Sequence, residues 1–436
     1  MEGSKNNVFT DFKKNGNAVS FVYSTSASHK ASYPYANTLI RLMSAHVPTV
    51  AFRADMTEKG TTTDVEITAN TTPMTNEMAA HRVGLVPIHV TDVDNWAAHG
   101  DSYEFICSVV NTGSEVIDVT TKDIKVFKKM DDGERVPVDE GAFFKPFEMG
   151  GYKEHILLAT LKPKAKGSLG KDEEFGFKAR ASVGIGKTHA RYIPTVRATY
   201  AYTQETDETK INDAFFEWAE LHKKIDRTSL DQDAEKKDKL MREFKTMAIQ
   251  RCYLKDADDE PYSFDMVVES MGVLDPVAIV ERAFKAGQDI VHKYGGVIMP
   301  ENVRIEPAGA RIFAYDFIFK GEDHTLGNLV TTWIDENLYG KGVVNYVGYD
   351  IPHPLDDFMV IRIGVSDNSE ESARKALRDA MAGCEAMFRS FADQWISVAS
   401  VASGASGAIG LGPSPVPGVP IGKKTIKKII SRPAAI

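Results

Sequence analysis

The sequence predicts an α+β chain of two similar units packed as an intramolecular pseudo-dimer, the first interrupted by a β-rich insert. Three observations carry this. The chain has 436 residues, enough for two to four folding units at about 100–200 residues each. An order of strand, helix, strands and long helix occurs twice, once with a large insertion. The second long helix, from about Asn368 to Ile396, places Leu377, Met381, Cys384, Phe388, Phe391 and Trp395 at steps of three or four. That apolar stripe is about 45 Å long at 1.5 Å per residue and requires a partner helix.

In the first round Val19–Tyr23 reads as a strand, and Tyr35–His46 carries apolar residues at helical spacing, with Pro48 as its exit. Val50–Phe52 and Val65–Thr68 are strand candidates around a turn at Gly60–Thr63. From Met74 to Phe175 a short helix mixes with extended segments such as Tyr103–Val110 and Ile156–Leu161, and Gly and Pro density marks a separate β-rich unit. Between Asn212 and Gln250, Phe215, Trp218, Leu221, Ile225 and then Leu240, Phe244, Met247 suggest two helices. The charged run Asp231–Lys239 reads as a connector or solvated face between them. Ser263–Glu269 is a strand candidate. Asp275 as N-cap and Pro276 at the first helical position open a helix with Ile279, Val280, Ala283, Phe284, Ile290 and Val291 on one side, closed by Tyr294-Gly-Gly-Val. The second round runs through strand Arg311–Phe319, turn Gly321–His324, helix Thr325–Glu336, strands Val343–Tyr349 and Phe358–Val365, and the long helix.

Composition narrows the function. Hydrophobic residues are 43% and charged residues 26%, ordinary for an ordered globular chain. A net charge of −9 argues against the whole surface being a nucleic-acid clamp. The Gly/Ser/Pro-rich tail after Ser397 carries Lys423, Lys424, Lys427, Lys428 and Arg432 without an acid, which leaves open a free-standing nucleic-acid or protein interaction module acting through that arm. Cys107, Cys252 and Cys384 form no framework, which fits a reducing compartment. The N-terminus has no apolar leader, and Ile396–Gly412 is too short and too polar for a membrane span, so no membrane role is expected.

Ala181-Ser-Val-Gly-Ile-Gly-Lys-Thr approaches the phosphate-cradling loop G-x-x-x-x-G-K-[ST], but Ala181 replaces the first glycine. A plain loop is the better reading; a nucleotide-binding enzyme is the rival. His81, His89, His99 and Cys107 lack the spacing that pre-positions metal ligands, and Asp256, Asp258, Asp259 and Glu260 lack the alternation of a calcium loop. No nucleophile elbow or H-E-x-x-H pair is present. No catalytic residues, cofactor or metal are expected.

Gly321-Glu-Asp-His-Thr-Leu-Gly-Asn-Leu, Val347-Gly-Tyr-Asp-Ile-Pro-His-Pro-Leu and Phe358-Met-Val-Ile-Arg-Ile strongly resemble the eleventh subunit of eukaryotic RNA polymerase II and its archaeal counterpart. Ala36-Asn-Thr-Leu-Ile-Arg-Leu-Met-Ser-Ala-His-Val-Pro-Thr, Ala80-His-Arg-Val-Gly-Leu-Val-Pro-Ile, Gly184-Ile-Gly-Lys-Thr-His-Ala-Arg-Tyr and Phe264-Asp-Met-Val-Val-Glu-Ser-Met-Gly resemble the third subunit, its archaeal counterpart and the bacterial alpha subunit. The resemblance covers about Val19 to Trp395, without the helical stretch 205–258 or the tail. It implies two alpha-type dimerisation units fused in one chain: residues 1–68 and 174–292 around an insert at 69–173, then 293–397, then a basic tail at 398–436.

By the same resemblance the role is a non-catalytic platform that nucleates the largest and second-largest polymerase subunits. Small subunits like the tenth and twelfth join as further partners, DNA is met only through the complex, and no self-dimer is expected. Such fusions are similar to those of large DNA viruses, which implies the virion and host cytoplasm as location, or the nucleus otherwise. The matched motifs place Asn37, Leu39, Arg41, His81, Arg82, Asp323, His324, Asn328, Pro352 and His353 at the subunit interface. Two departures stand out. Ile40 replaces the first of the family's adjacent arginines, and the insert holds Cys107 alone where eukaryotic third subunits carry a zinc-binding cysteine cluster.

Overall fold

Alternation in Ala18-Val-Ser-Phe-Val-Tyr-Ser puts Val19, Phe21 and Tyr23 on one buried face, the signature of a half-buried strand. It lies second in a four-stranded antiparallel sheet. The strands are β1 (Phe9–Asn15), β2 (Ala18–Ser24), β3 (Thr195–Tyr202) and β4 (Ser263–Ser270), in spatial order β1-β2-β4-β3. Helix α1 (Tyr33–Arg41) follows β2 and continues as a π turn over Leu42–His46; helices α2 (Glu208–Lys223), α3 (Arg227–Gln232) and α4 (Ala234–Met247) stand between β3 and β4, and α5 (Pro276–His292) follows β4. A second antiparallel sheet repeats the scheme. Its strands are β5 (Val303–Pro307), β6 (Tyr315–Lys320), β7 (Val344–Asp350) and β8 (Phe358–Val365), in order β5-β6-β8-β7, with α6 (His324–Asn337) after β6 and α7 (Glu370–Ala402) after β8.

These elements come from a computed structural model that describes residues 7–27, 29–55, 64–130, 132–149, 151–164, 170–296, 303–309 and 312–402. The chain divides into two units: 7–47 with 185–402, which holds both four-stranded sheets, and 48–184. Both sheets, α1, α5, α6 and α7 share one core, and the apolar stripe of α7 is buried in it along its length from Leu377 to Trp395. Phe9, Phe21, Phe284, Phe391 and Trp395 form a ring cluster with centroids 4.7–6.4 Å apart, the range in which aromatic pairs add to area burial. Asp275 caps α5 by accepting from Val277 N–H (2.9 Å), with Pro276 in its first turn. Helices α2–α4 keep a small core of their own around Phe215, Leu230 and Phe244.

The second unit is built on a five-stranded antiparallel sheet, in order Val65–Asn70, Glu173–Ala179, Tyr103–Asn111, Ile124–Lys129 and Arg135–Val138. Phe52, Trp96, Tyr103, Phe105 and Phe143 fill its core, and the Trp96 indole N–H donates to Ala181 O at 2.9 Å.

Several expectations need correction. The insert reaches beyond 69–173 on both sides, because Val65–Asn70 pairs with Glu173–Ala179 and Thr49–Ala51 with Ser182–Gly184. The charged run Asp231–Lys239 is, of its two readings, a solvated helix face rather than a connector for most of its length. Asp233 accepts from Lys236 N–H (3.0 Å) and starts α4 within it, so three helices stand where two were expected. Strand β6 begins at Tyr315 rather than Arg311, which lies outside the described residues. Two further strands carry no clear signal in the sequence. In β1 the pairing slips between Thr10 and Lys13, and Asp11 has φ of 50°, so the period of two is lost. In β5 only Val303 is buried. The turn at 60–63 and the basic residues of the tail lie outside the described residues.

Candidate assembly interface

Helix α6 begins at Asp323, whose carboxylate accepts from Thr325 N–H at 2.8 Å as an N-cap. Arg41, the last residue of α1, reaches the same point. Its Nε donates to Thr325 Oγ1 at 2.7 Å, and Nη2 lies 3.5 Å from Asp323 Oδ2. Lys187 arrives from a third direction, donating to Gly321 O at 2.9 Å with its ammonium 3.5 Å from Asp323 Oδ2. Burial works to raise the Asp323 carboxyl, but the Thr325 backbone and hydroxyl, then Lys187 and Arg41, outweigh it and hold it at about 2. The junction is charged and internally satisfied.

The Gly186-Lys187-Thr188 end of the segment that approaches a phosphate-cradling loop has a packing role instead. A Cβ on Gly186 would sit 2.5 Å from Ser44 O, so only glycine lets the chain lie on the π turn, where Lys187 N–H donates to Ala45 O at 2.8 Å. The Thr188 hydroxyl donates to Ile185 O at 2.7 Å. Both groups that a phosphate would need are already engaged.

The motif residues divide into four kinds. Leu39 is 1% exposed and belongs to the core, so it supports α1 from within. Arg41 and Asp323 belong to the junction of α1 and α6, and Asn328 is half-buried on α6. Asn37, His324, Pro352 and His353 lie toward the surface, His324 with its ring 5.8 Å from Tyr349. Beside His353, whose Nδ1 accepts from Leu355 N–H at 3.1 Å, Leu355 is 88% exposed. His81 and Arg82 belong to the other unit, exposed on the helix Asn76–Gly84, where Arg82 donates twice to Leu157 O (3.0 and 3.2 Å). Sequence reasoning missed Thr325, Lys187 and Leu355 as contributors, although all three stand inside or beside the quoted motifs.

Among the described residues no three His, Cys, Asp or Glu side chains are grouped as a metal site. His89 Nδ1 lies 3.0 Å from Phe143 O, and burial pushes the Cys107 thiol up to about 12. No helix among them is long and apolar enough to cross a membrane.

Residues 314–394 match the family model for the RNA polymerase Rpb3/Rpb11 dimerisation domain. The chain is 27% identical over 297 residues to DNA-directed RNA polymerase II subunit RPB3 of Schizosaccharomyces pombe, covering 63% of this chain and 81% of that protein. It is 31% identical over 182 residues to DNA-directed RNA polymerases II, IV and V subunit 3 of Arabidopsis thaliana (38% of this chain, 49% of that protein). It is 27% identical over 176 residues to DNA-directed RNA polymerase subunit Rpo3 of Methanobrevibacter smithii (39% and 51%). The match thus spans most of the first relative and about half of the other two. The domain match falls on β6, α6, β7, β8 and α7, the elements that carry the Asp323 junction and the exposed 352–355 loop, and it is over these elements that the chain is similar to the Rpb3/Rpb11 type of RNA polymerase subunit.

Proposed function

We propose that this chain is a non-catalytic assembly subunit of a DNA-directed RNA polymerase, in which third- and eleventh-subunit-like halves are fused as an intramolecular pseudo-dimer. The observation that carries the reading is the repetition of one topology, β1-β2-β4-β3 and β5-β6-β8-β7, around one core within a single unit. Fusion raises each half's concentration for the other into roughly the millimolar range without a second chain, so the platform is monomeric before assembly.

Its partners are the largest and second-largest polymerase subunits, with small subunits like the tenth and twelfth, and DNA is met through the complex. Support comes from Asn37, His324, Pro352, His353 and Leu355 in the matched motifs, which the fold leaves toward the surface. A viral source, with the virion and host cytoplasm as location, is part of the same proposal and rests on the fusion. The test is affinity purification of the tagged chain from its native source. Recovery of two large polypeptides in equal proportion with it is expected; recovery of the chain alone, or as a homodimer, would overturn the reading.

A further inference from the structure

The two halves of the first unit differ at one matched place. In α1 with its π turn and in α6, Leu42 and Trp333 each stand five residues after an asparagine, Asn37 and Asn328. Each lies over a helix glycine of its own half: a Cβ on Gly287 would be 3.0 Å from Leu42 Cδ1, and one on Gly383 2.1 Å from the Trp333 indole. Those two contacts put α1 in register with α6 and α5 with α7. Ala45 then corresponds to Glu336, Tyr294 to Ser390, and Lys30 to Gly321.

In the first half this place is filled. Gly186 and Lys187 cross it, Lys187 N–H donates to Ala45 O (2.8 Å), and the ammonium donates to Gly321 O (2.9 Å) and faces Asp323. In the second half the segment from α6 to β8 contains no such crossing, and a cavity of about 400 Å³ opens beside Tyr35, Trp333, Glu336, Met387 and Phe391. Glu336 accepts from the Tyr35 hydroxyl at 2.9 Å. Burial raises its pKa, and of the charges nearby Lys30 favours the carboxylate while Asp335 opposes it. Lys30 lies 3.2 Å from Asp256, and His29, 2.6 Å from the Tyr23 hydroxyl, is kept neutral by burial. The cavity therefore offers one carboxylate framed by aromatic and thioether surface, the chemistry that takes an ammonium on an aliphatic stem.

We infer that the Glu336 cavity receives a lysine side chain from a partner polypeptide, at the place that Gly186 and Lys187 occupy in the first half. Only the identity of the partner as a polymerase subunit rests on the assembly reading; the cation site is a property of the isolated chain and is tested there.

The probe is n-butylammonium, the lysine side chain without its backbone, titrated into the full chain while the Trp333 indole resonance, assigned with Trp333→Phe, is followed by NMR. A saturable shift is expected, weakened about tenfold in Glu336→Gln, which keeps an acceptor for Tyr35 and so preserves the fold, and weakened similarly when the probe is the neutral N-butylacetamide. Absence of a saturable shift, or equal binding of the charged and neutral probes, would overturn the cation site. In the purified native complex, carbodiimide coupling is expected to join Glu336 to a lysine of another chain. Coupling to Lys30 alone would overturn the partner role, and this outcome is separable from loss of the complex itself.

Discussion

Trp395 in α7 donates its indole N–H to the carbonyl of Val277 in α5 at 3.1 Å, a bond that closes 118 residues of chain. Val277 lies in the first turn of α5, where its own N–H donates to the Asp275 cap, and the Trp395 ring rests against Phe9, Phe12 and Phe21 at 4.7–5.6 Å. The last helix is thus fastened to the first hairpin and to the start of α5 through one side chain.

Trp395→Ala is expected to cost about 3–5 kcal/mol, the usual range for truncating a buried aromatic, because the ring is 1% exposed. Urea unfolding of the two proteins measures it. A loss below about 1 kcal/mol would mean that the cluster repacks around the hole.

The sequence made this relationship legible on one side only. The three- and four-residue steps from Leu377 to Trp395 required a buried face, and that face is buried. The partner for the indole N–H was invisible, because it is a backbone carbonyl far along the chain and no residue type marks it. Arg41 shows the same limit. The matched motif placed it at the subunit interface, but its contacts are to Asp323 and to Thr325, 284 residues along the same chain, and only the packing of α1 against α6 brings them together. The strands β1 and β5 were missed because their periodicity is broken or one-sided, so tertiary pairing, not local pattern, makes them strands.

Arg41→Ala removes one short hydrogen bond and one longer ion pair from a side chain that is 40% exposed. A loss of about 1 kcal/mol is expected, since a single net hydrogen bond is worth roughly that and a half-exposed ion pair adds little. Arg41→Lys should recover less than half, because an ammonium cannot reproduce the guanidinium's two directed contacts. Thermal melts of the three proteins at equal concentration are the measurement. A loss above about 3 kcal/mol would show that the junction is more deeply desolvated than its exposure indicates.

Acid should destabilise the first unit through its buried histidines before it reaches the Asp323 junction. Burial lowers the His29 imidazole to about 4 and lowers His46 in the same direction, against about 6.5 in an unfolded chain. The folded pKa lies below the unfolded one, so the unfolded state binds more protons as the pH falls. The stability is fully present above about pH 6.5 and is lost progressively toward about pH 4. For His29 the gap corresponds to about 3 kcal/mol. His29→Gln is expected to flatten the unfolding free energy between about pH 6.5 and 4 while leaving the loss below about pH 4, where Asp323 binds a proton in the unfolded chain but, held at about 2, not yet in the folded one. An unchanged slope in the variant would show that His29 is not the group responsible.

The final expectation separates fold from assembly at Leu355. This side chain is 88% exposed in the turn after Pro352 and His353, and Asp356 N–H closes that turn on His353 O at 3.0 Å. An apolar side chain so displayed contributes almost nothing to the chain's own stability, and exchanging it should stay within about 0.5 kcal/mol. In an interface the same residue is desolvated, and placing a carboxylate there leaves a buried charge without a partner. Leu355→Asp should therefore keep the melting temperature of the isolated chain and weaken its association with the large polymerase subunits at least about tenfold. The comparison needs both readings on one preparation, a melt and a co-purification with the co-expressed large subunits. Intact association would remove the 352–355 loop from the interface and leave the assembly role to Asn37, His324 and the exposed helix that carries His81 and Arg82; a lowered melting temperature would show instead that Leu355 packs within the chain.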